Sequence, residues 1–436
     1  MTSEVHPVDQ RLPLRQAGPL GLQHVLAMYA GAVAVPLIVG GALKLPPEQL
    51  AYLINADLLI SGVATLIQCV GVWRFGVRLP IMQGVTFAAV TPMIAIGTAG
   101  GGLPAIYGAV IVSGLLVILV APYFAKIVRF FPPLVTGTII TIIGLSLLPV
   151  AARWAAGGAG SPSFGQPRNI ALAAAVLLVV LALYRFAPPA AGRVAVLLGI
   201  AAGTLAAIPL GFTDFSAAGR ADLVGISTPF AFGLPTFEAT AIISMCVVML
   251  VAMTETTGDF IAVSELTGAE LTGRRLADGL RADGFSTALG GVFNTFPYTA
   301  FAQNVGLVGL TGVKSRWVVA IAGGILVLLG LVPMLGAVIA AVPQPVLGGA
   351  GIAMFGTVAA SGIRTLSRVD FRGNHNLVIV AVSIGVAAIP VGTPGFYEHF
   401  PSWAKIILDS GISTGSLVVI VLNLLFNHLR LAQRTS

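Results

Sequence analysis

Residues 293–311 read FNTFPYTAFAQNVGLVGLT, and the reading of this stretch decides how the chain is organised. It is apolar, yet too short and too interrupted to form a plain membrane helix. Pro297 removes a backbone donor, and Gly306 and Gly309 loosen the turns beyond it, so uncommitted peptide groups are expected at membrane depth. The adjacent amides Gln303 and Asn304 fall inside that break. Irregular backbone with polar side chains inside an apolar span is how ligand sites in membrane carriers are built.

The rest of the chain supplies the membrane. Of 436 residues, 57% are hydrophobic and 9% charged, with a mean hydropathy of +0.97, whereas soluble domains carry about 25% charged residues. A soluble multidomain protein is excluded on that ground. Cys69 and Cys246 both lie in apolar runs, so the sequence offers no disulfide framework, CxxC pair or metal cluster. No cofactor and no metal is expected. The N-terminal residues show no cleavable signal pattern, and the first span is expected to serve as the insertion signal. Although the net charge is +7, the basic residues are spread over short loops without interleaved aromatics, which argues against nucleic acid.

Apolar stretches long enough to cross about 30 Å of hydrocarbon read at roughly 19–43, 49–71, 103–125, 134–151, 168–187, 192–212, 237–262, 316–341, 344–361, 375–392 and 409–429. Three weaker candidates at 79–97, 277–294 and 297–311 bring the expected total to fourteen. An even number puts both termini on one side. On that count only Lys44, Arg153, Arg168, Arg220 and Lys405 face outward, leaving 18 of the 23 basic residues on the other side. The positive-inside rule then predicts that both termini are cytoplasmic.

Internal echoes predict the architecture. VLAMYAG at 25–31 echoes LVAMTETTG at 250–258, Thr86-Phe87-Ala88 echoes Ala300-Phe301-Ala302, and FPPLV at 131–135 echoes VPQPV at 342–346. The offsets are 225, 214 and 211. Two copies of seven spans insert with opposite orientations, the inverted-repeat plan. The fold class expected is therefore an all-α polytopic membrane protein in a 7+7 inverted repeat. Its third spans, 79–97 and 297–311, are broken, and each contains a short extended strand. The two strands pair near the midplane, and the helices beyond them aim positive N-terminal dipoles at a ligand.

Few polar groups are placed at that depth. Of sixteen acidic residues, only Asp57, Glu255, Asp259 and Asp283 fall within spans away from their ends, and each costs several kcal/mol there unless paired, neutralised or facing water. Glu255 and Asp259 share a helix face, which disfavours both being ionised together and suits proton coupling. Asp283 follows Arg274, Arg275 and Arg281, and reads either as a coupling partner of Glu255 or as the acid of a salt bridge. Asp57, near Asn55 and two turns into its span, reads as interfacial or packing. His24 serves either helix packing or coupling. Gln303 and Asn304 offer donors and acceptors that suit a flat heterocycle with alternating N–H and C=O edges. Glu255 complements them as an acceptor, and Phe87 and Phe301 can sandwich the ring.

The run Gln303-Asn304-Val305-Gly306, closed by Thr311-Gly312, resembles the signature of the nucleobase-ascorbate transporter family of cation symporters. Gln23-His24, Glu255-Thr256-Thr257-Gly258-Asp259 and Arg281-Ala282-Asp283-Gly284-Phe285 extend the resemblance, which covers about 22–429. It implies a core domain of spans 1–4 (19–125) and 8–11 (237–341), and a gate domain of spans 5–7 (131–212) and 12–14 (342–430). It also implies roles. Glu255 binds the ring, Gln303 hydrogen-bonds it and sets specificity, Asn304 supports the site, and Thr86 and Phe87 line the pocket opposite. Asp259, Asp283 and His24 serve coupling or site architecture. Asp259 and Gln303 match the purine branch, which takes xanthine and uric acid, whereas the uracil branch has His and Glu at these two positions.

The expected function is thus import of oxidised purines by proton symport, sodium being the less expected ion. Movement is of the elevator type, in a homodimer formed through the gate domain in the inner or plasma membrane. Two alternatives stay open: a uracil or other nucleobase symporter, and an anion exchanger of the sulfate-transporter type sharing the fold. An enzyme is not expected, since no nucleophile constellation, metal motif or phosphate-binding loop is present.

Overall fold

The computed structural model describes residues 5–428 except 128–131, 214, 217, 221, 373 and 374, and no side chains at 125, 127, 402, 403 and 406. Arg129, Arg430 and Arg434 of the charge count, and the Phe131 end of one echo, lie outside the described residues. The helices run α1 Leu14–Ala42, α2 Pro47–Val70, α3 Val90–Ile96, α4 Gly102–Ile127, α5 Pro133–Ala155, α6 Pro167–Phe186, α7 Pro189–Gly192, α8 Ala195–Ala207 and α9 Ala239–Thr267. They continue as α10 Gly273–Val292, α11 Ala302–Thr311, α12 Arg316–Gly330, α13 Pro333–Ala340, α14 Gln344–Leu366, α15 Asn376–Gly392, α16 Ser402–Leu408 and α17 Gly411–Asn423. Two strands, β1 Gln83–Val85 and β2 Tyr298–Ala300, complete the set.

Among the described residues, eight helical stretches are long and apolar enough to cross a membrane, nine if α12 and α13, bent by 81°, form one span. The chain is therefore a helical, multi-pass membrane protein. Prolines open several helices at positions whose N–H would be unsatisfied anyway: Pro47, Pro133, Pro167 and Pro333. The apolar stretch read at 192–212 is helical only over Ala195–Ala207, because Pro209 and Gly211 end it. The weak candidate at 277–294 forms a complete helix, α10, starting at Gly273 behind a Thr272 cap.

Three antiparallel helix pairs hold the bundle, and small residues let their backbones touch. Gly62 of α2 lies against Gly323 and Val327 of α12, and Gly284 of α10 lies against Gly114 and Ile118 of α4. Along the α5–α14 seam, Gly137 meets Gly362, Gly144 meets Ala359, and Gly348 meets Ala155. In lipid, where burying apolar surface gives little drive between helices, such close packing is what associates them.

Candidate functional site

The break predicted at 79–97 and 297–311 is a two-stranded antiparallel crossing, with Gln83 opposite Ala300, Gly84 opposite Thr299 and Val85 opposite Tyr298. Each strand is anchored in the same way. The N–H of Gln83 donates to the Thr65 hydroxyl on α2 at 3.0 Å, and the N–H of Tyr298 donates to the Thr287 hydroxyl on α10 at 3.0 Å. The crossing is closed by Thr86 N–H to Pro297 O (2.8 Å) and Phe301 N–H to Met82 O (3.0 Å). Backbone that cannot be helical at this depth is thereby satisfied inside the protein. From α9, the Thr256 hydroxyl bridges Thr299 (2.8 Å) and accepts the Ala300 N–H (3.1 Å), which seats Glu255 beside the strand.

Beyond β2, helix α11 starts with Phe301 as its N-cap and no side-chain cap. Its first residues, Ala302 and Gln303, line a cavity of about 340 Å³ with the positive end of the helix behind them, within the range of about 300–1,000 Å³ usual for small-molecule sites. One wall is Val85, Phe87, Glu255, Thr299, Phe301 and Gln303, and the opposite wall is Ile140 and Ile143 of α5 with Thr357, Ser361 and Arg364 of α14. Glu255 Oε2 has no protein partner among the described residues, whereas the Gln303 side chain is exposed to the hollow. An acceptor and an amide thus share an otherwise apolar chamber, the requirement for orienting a flat ligand by its edges. A second cavity of about 290 Å³, between α1 and α8, shares Gln303, Gly306 and Thr357 with the first. A larger hollow of about 860 Å³ lies among Glu48, Tyr52, Arg220 and Asp222, away from the strand crossing.

The other sequence-predicted residues are placed as follows. Phe301 is pinned between Gly84 and Gly31, the Phe301 ring edge lying where a Cβ on either glycine would sit. Phe87 meets Phe355 of α14 edge-on, with centroids 5.7 Å apart. Thr86 is fully buried off the cavity wall, where its hydroxyl accepts the Ala88 N–H at 3.2 Å. Asn304 also lies behind the wall, where its Nδ2 donates to the His24 carbonyl at 2.9 Å and lies 3.2 Å from His24 Nδ1. His24 and Asn304 therefore act as one unit that locks α11 to α1. Among the described residues Asp283 makes no salt bridge: it accepts from Gln68 Nε2 at 2.7 Å, while Arg281 pairs with Asp278 and Arg275 donates to backbone carbonyls of Val77, Arg78 and Glu270. Asp259 lies one turn after Glu255 on α9, and its Oδ2 is buried without a hydrogen-bond partner among the described residues.

Sequence reading missed the α5 and α14 wall, Arg364 included, because nothing in those apolar helices marks which face meets α9. It also missed Gln68, whose amide is the partner of Asp283. The interfacial or packing reading of Asp57 is corrected in part: Asp57 is fully buried and bonded to β2.

Comparison with known proteins identifies the family. The Permease family model Xan_ur_permease matches residues 15–395. The chain is 48% identical over 411 residues to "Xanthine permease" of Bacillus subtilis, covering 94% of this chain and 93% of that one. It is 47% identical to "Uric acid transporter UacT" of Escherichia coli, covering 94% and 85%. It is 48% identical to "Nucleobase transporter PlUacP" of Paenibacillus larvae, covering 93% and 94%. Among solved structures, the transmembrane domain of the cyanobacterial bicarbonate transporter BicA superposes with a TM-score of 0.61 at 16% identity, covering 95% of this chain and 100% of that one. SLC26A9 superposes at 0.63 and 12%, covering 94% and 66%, so both likenesses concern the fold alone. With the family model spanning most of the chain and relatives near half identical over nearly all of it, the chain belongs to the nucleobase-ascorbate transporter family of membrane permeases.

Proposed function

We propose that this permease imports oxidised purines, xanthine and uric acid, by proton symport. The observation that carries the proposal is the chamber where Glu255 and Gln303 share a wall beside a free helix N-terminus, in a chain whose relatives at 46–48% identity are named for xanthine and uric acid. An oxopurine carries N–H donors for the Glu255 carboxylate and carbonyl oxygens for Gln303 and the first-turn amides of α11. Glu255 and Asp259 provide acids that can take up and release a proton as the ligand comes and goes.

The fourteen-span, seven-plus-seven reading belongs to the same proposal. It is supported by the paired anchoring of Gln83 by Thr65 and Tyr298 by Thr287, and by the matching contacts of Gly62 with α12 and Gly284 with α4. On this reading α1–α4 and α9–α13 form the core, and α5–α8 and α14–α17 the gate. The core carries every polar side chain of the site except Thr357, Ser361 and Arg364, and moves against the gate as an elevator. Both termini are cytoplasmic, and the gate domain supplies a homodimer contact.

The test is competition for uptake of labelled xanthine in whole cells by uric acid, xanthine, uracil and ascorbate, with and without a protonophore. Uric acid and unlabelled xanthine are expected to compete, uracil and ascorbate are not, and the protonophore is expected to collapse accumulation. Inhibition by uracil alone would refute the purine assignment, and sodium-dependent, protonophore-resistant uptake would refute proton coupling. The anion-exchange alternative rests on the fold neighbours and on Arg364 in the chamber. Bicarbonate or sulfate flux by this chain, with no purine uptake, would establish it instead.

A further inference from the structure

The strand crossing is flanked by a buried acid on each side, and only Asp283 is among the residues read as site. The other is Asp57 of α2, fully shielded from solvent. Its Oδ1 accepts from the Thr295 hydroxyl and the Tyr298 hydroxyl, both at 3.0 Å. Its Oδ2 and the hydroxyl of Ser61, one turn further along α2, are buried without a hydrogen-bond partner among the described residues. The groups facing it are thus Thr295, Tyr298 and Ser61, all neutral. The ion pairs among the described residues, Arg281 with Asp278 and Arg316 with Asp9, lie elsewhere. An ionised carboxylate so placed is an uncompensated buried charge, which neutral hydroxyl donors offset only in part.

We infer that Asp57 is a neutral carboxylic acid that positions Tyr298, and through it the cavity wall formed by Phe301 and Gln303. Tyr298 opens β2. Its N–H is held by Thr287 of α10 and its hydroxyl by Asp57 of α2, so the strand is fixed to two helices at once. Phe301 and Gln303 follow within five residues, and slack at Tyr298 displaces them while every lining group stays chemically intact. Asp57 is a positioning residue, not a ligand contact.

The kinetic arm of the test rests on the proposed transport function, and the stability arm does not. Full-length Asp57→Asn, Asp57→Ala and Tyr298→Phe are compared with the parent at matched membrane abundance. Asparagine copies a neutral acid in shape and acceptor capacity. Its KM for xanthine is expected within about twofold of the parent, with a superimposable pH profile from about pH 5 to 8. Alanine removes the carboxyl acceptor at 3.0 Å and leaves the Thr295 and Tyr298 hydroxyls only their mutual 3.3 Å contact and the backbone carbonyl of residue 57 at 3.3 Å, so its KM is expected to rise about tenfold with the profile unchanged. Should the alanine variant fail to reach the membrane, Tyr298→Phe removes one donor alone and is expected to raise KM several-fold. In detergent, without ligand, Asp57→Asn is expected to melt with the parent in sodium chloride and in choline chloride alike.

A flattened pH profile in Asp57→Asn, or its inactivity at normal abundance, overturns the inference, because the ionised form would then be required. Sodium-dependent stabilisation of the parent that Asp57→Asn removes does the same, since Asp57 would then be a cation ligand. An unchanged KM in both Asp57→Ala and Tyr298→Phe overturns the positioning role. If the parent takes up no purine, the transport reading falls, and the melting comparison still decides the state of Asp57.

Discussion

Glu255→Gln is expected to abolish accumulation of labelled xanthine driven by a proton gradient while leaving counterflow exchange measurable. Glu255 faces the chamber, and its Oε2 has no protein partner among the described residues. An ionised carboxylate at that depth costs several kcal/mol unless a proton or a ligand accompanies it. For symport, the loaded core therefore moves only once a proton has been collected together with the purine. Glutamine keeps the size of the side chain and is permanently neutral, so the core can move without collecting a proton. One coupled proton supports about tenfold accumulation, roughly 1.4 kcal/mol, per pH unit across the membrane, and that whole factor is expected to vanish. Substrate still enters and leaves, so preloaded vesicles keep exchanging. Gradient-driven accumulation by a surface-expressed Glu255→Gln protein at the parent level would sink proton coupling through this residue. Loss of counterflow as well would show that Glu255 is needed for binding itself.

Gly84→Ala is expected to cripple substrate binding without touching any polar group of the site. Gly84 is the central residue of β1, and a Cβ there would collide with the Phe301 ring. The ring cannot retreat the other way, because Phe301 Cε1 already stands 2.8 Å from where a Cβ on Gly31 would be. The remaining free direction is the cavity, which Phe301 lines. Overpacking of this kind costs about 1–3 kcal/mol, which corresponds to roughly 5- to 150-fold weaker binding. The measurement is xanthine binding to purified protein, with Gly84→Ala/Phe301→Leu as the compensating double variant. Partial recovery in the double variant is expected because leucine frees the volume the methyl takes. Unchanged affinity in Gly84→Ala alone would show that the ring is not confined as described.

The membrane character, the two broken segments and the amide pair were legible because they depend on composition and on proline and glycine, whose backbone effects are local. The Glu255 and Asp259 pair was legible for a similar reason, since four residues on a helix define one face. Other features were not. That Asp283 pairs with Gln68, far away in sequence, while Arg275 and Arg281 are engaged elsewhere, could not be read from its neighbours along the chain. The stretch 316–341 reads as one apolar run, yet it turns by 81° before Pro333, where Gly330 must fit against Leu59 and Gly336 against Ala51 of α2. Thr86 was expected to line the pocket and Asn304 to support the site; in the structure Thr86 caps the turn after β1, and Asn304 is tied to the backbone of α1 at His24.

By itself, then, the sequence determined that the chain lives in a bilayer, where its helices break, and which polar groups are too costly to be there without a task. Those outcomes follow from the solvation of individual side chains and from local backbone constraints. The tertiary structure alone decided which of those groups face a ligand and which face one another. Whether Asp57 meets a lipid headgroup or the hydroxyl of Tyr298, and whether Arg364 sees solvent or the chamber, depends on how small residues let helices distant in sequence approach. That is a property of packing between surfaces, which no stretch of sequence carries on its own.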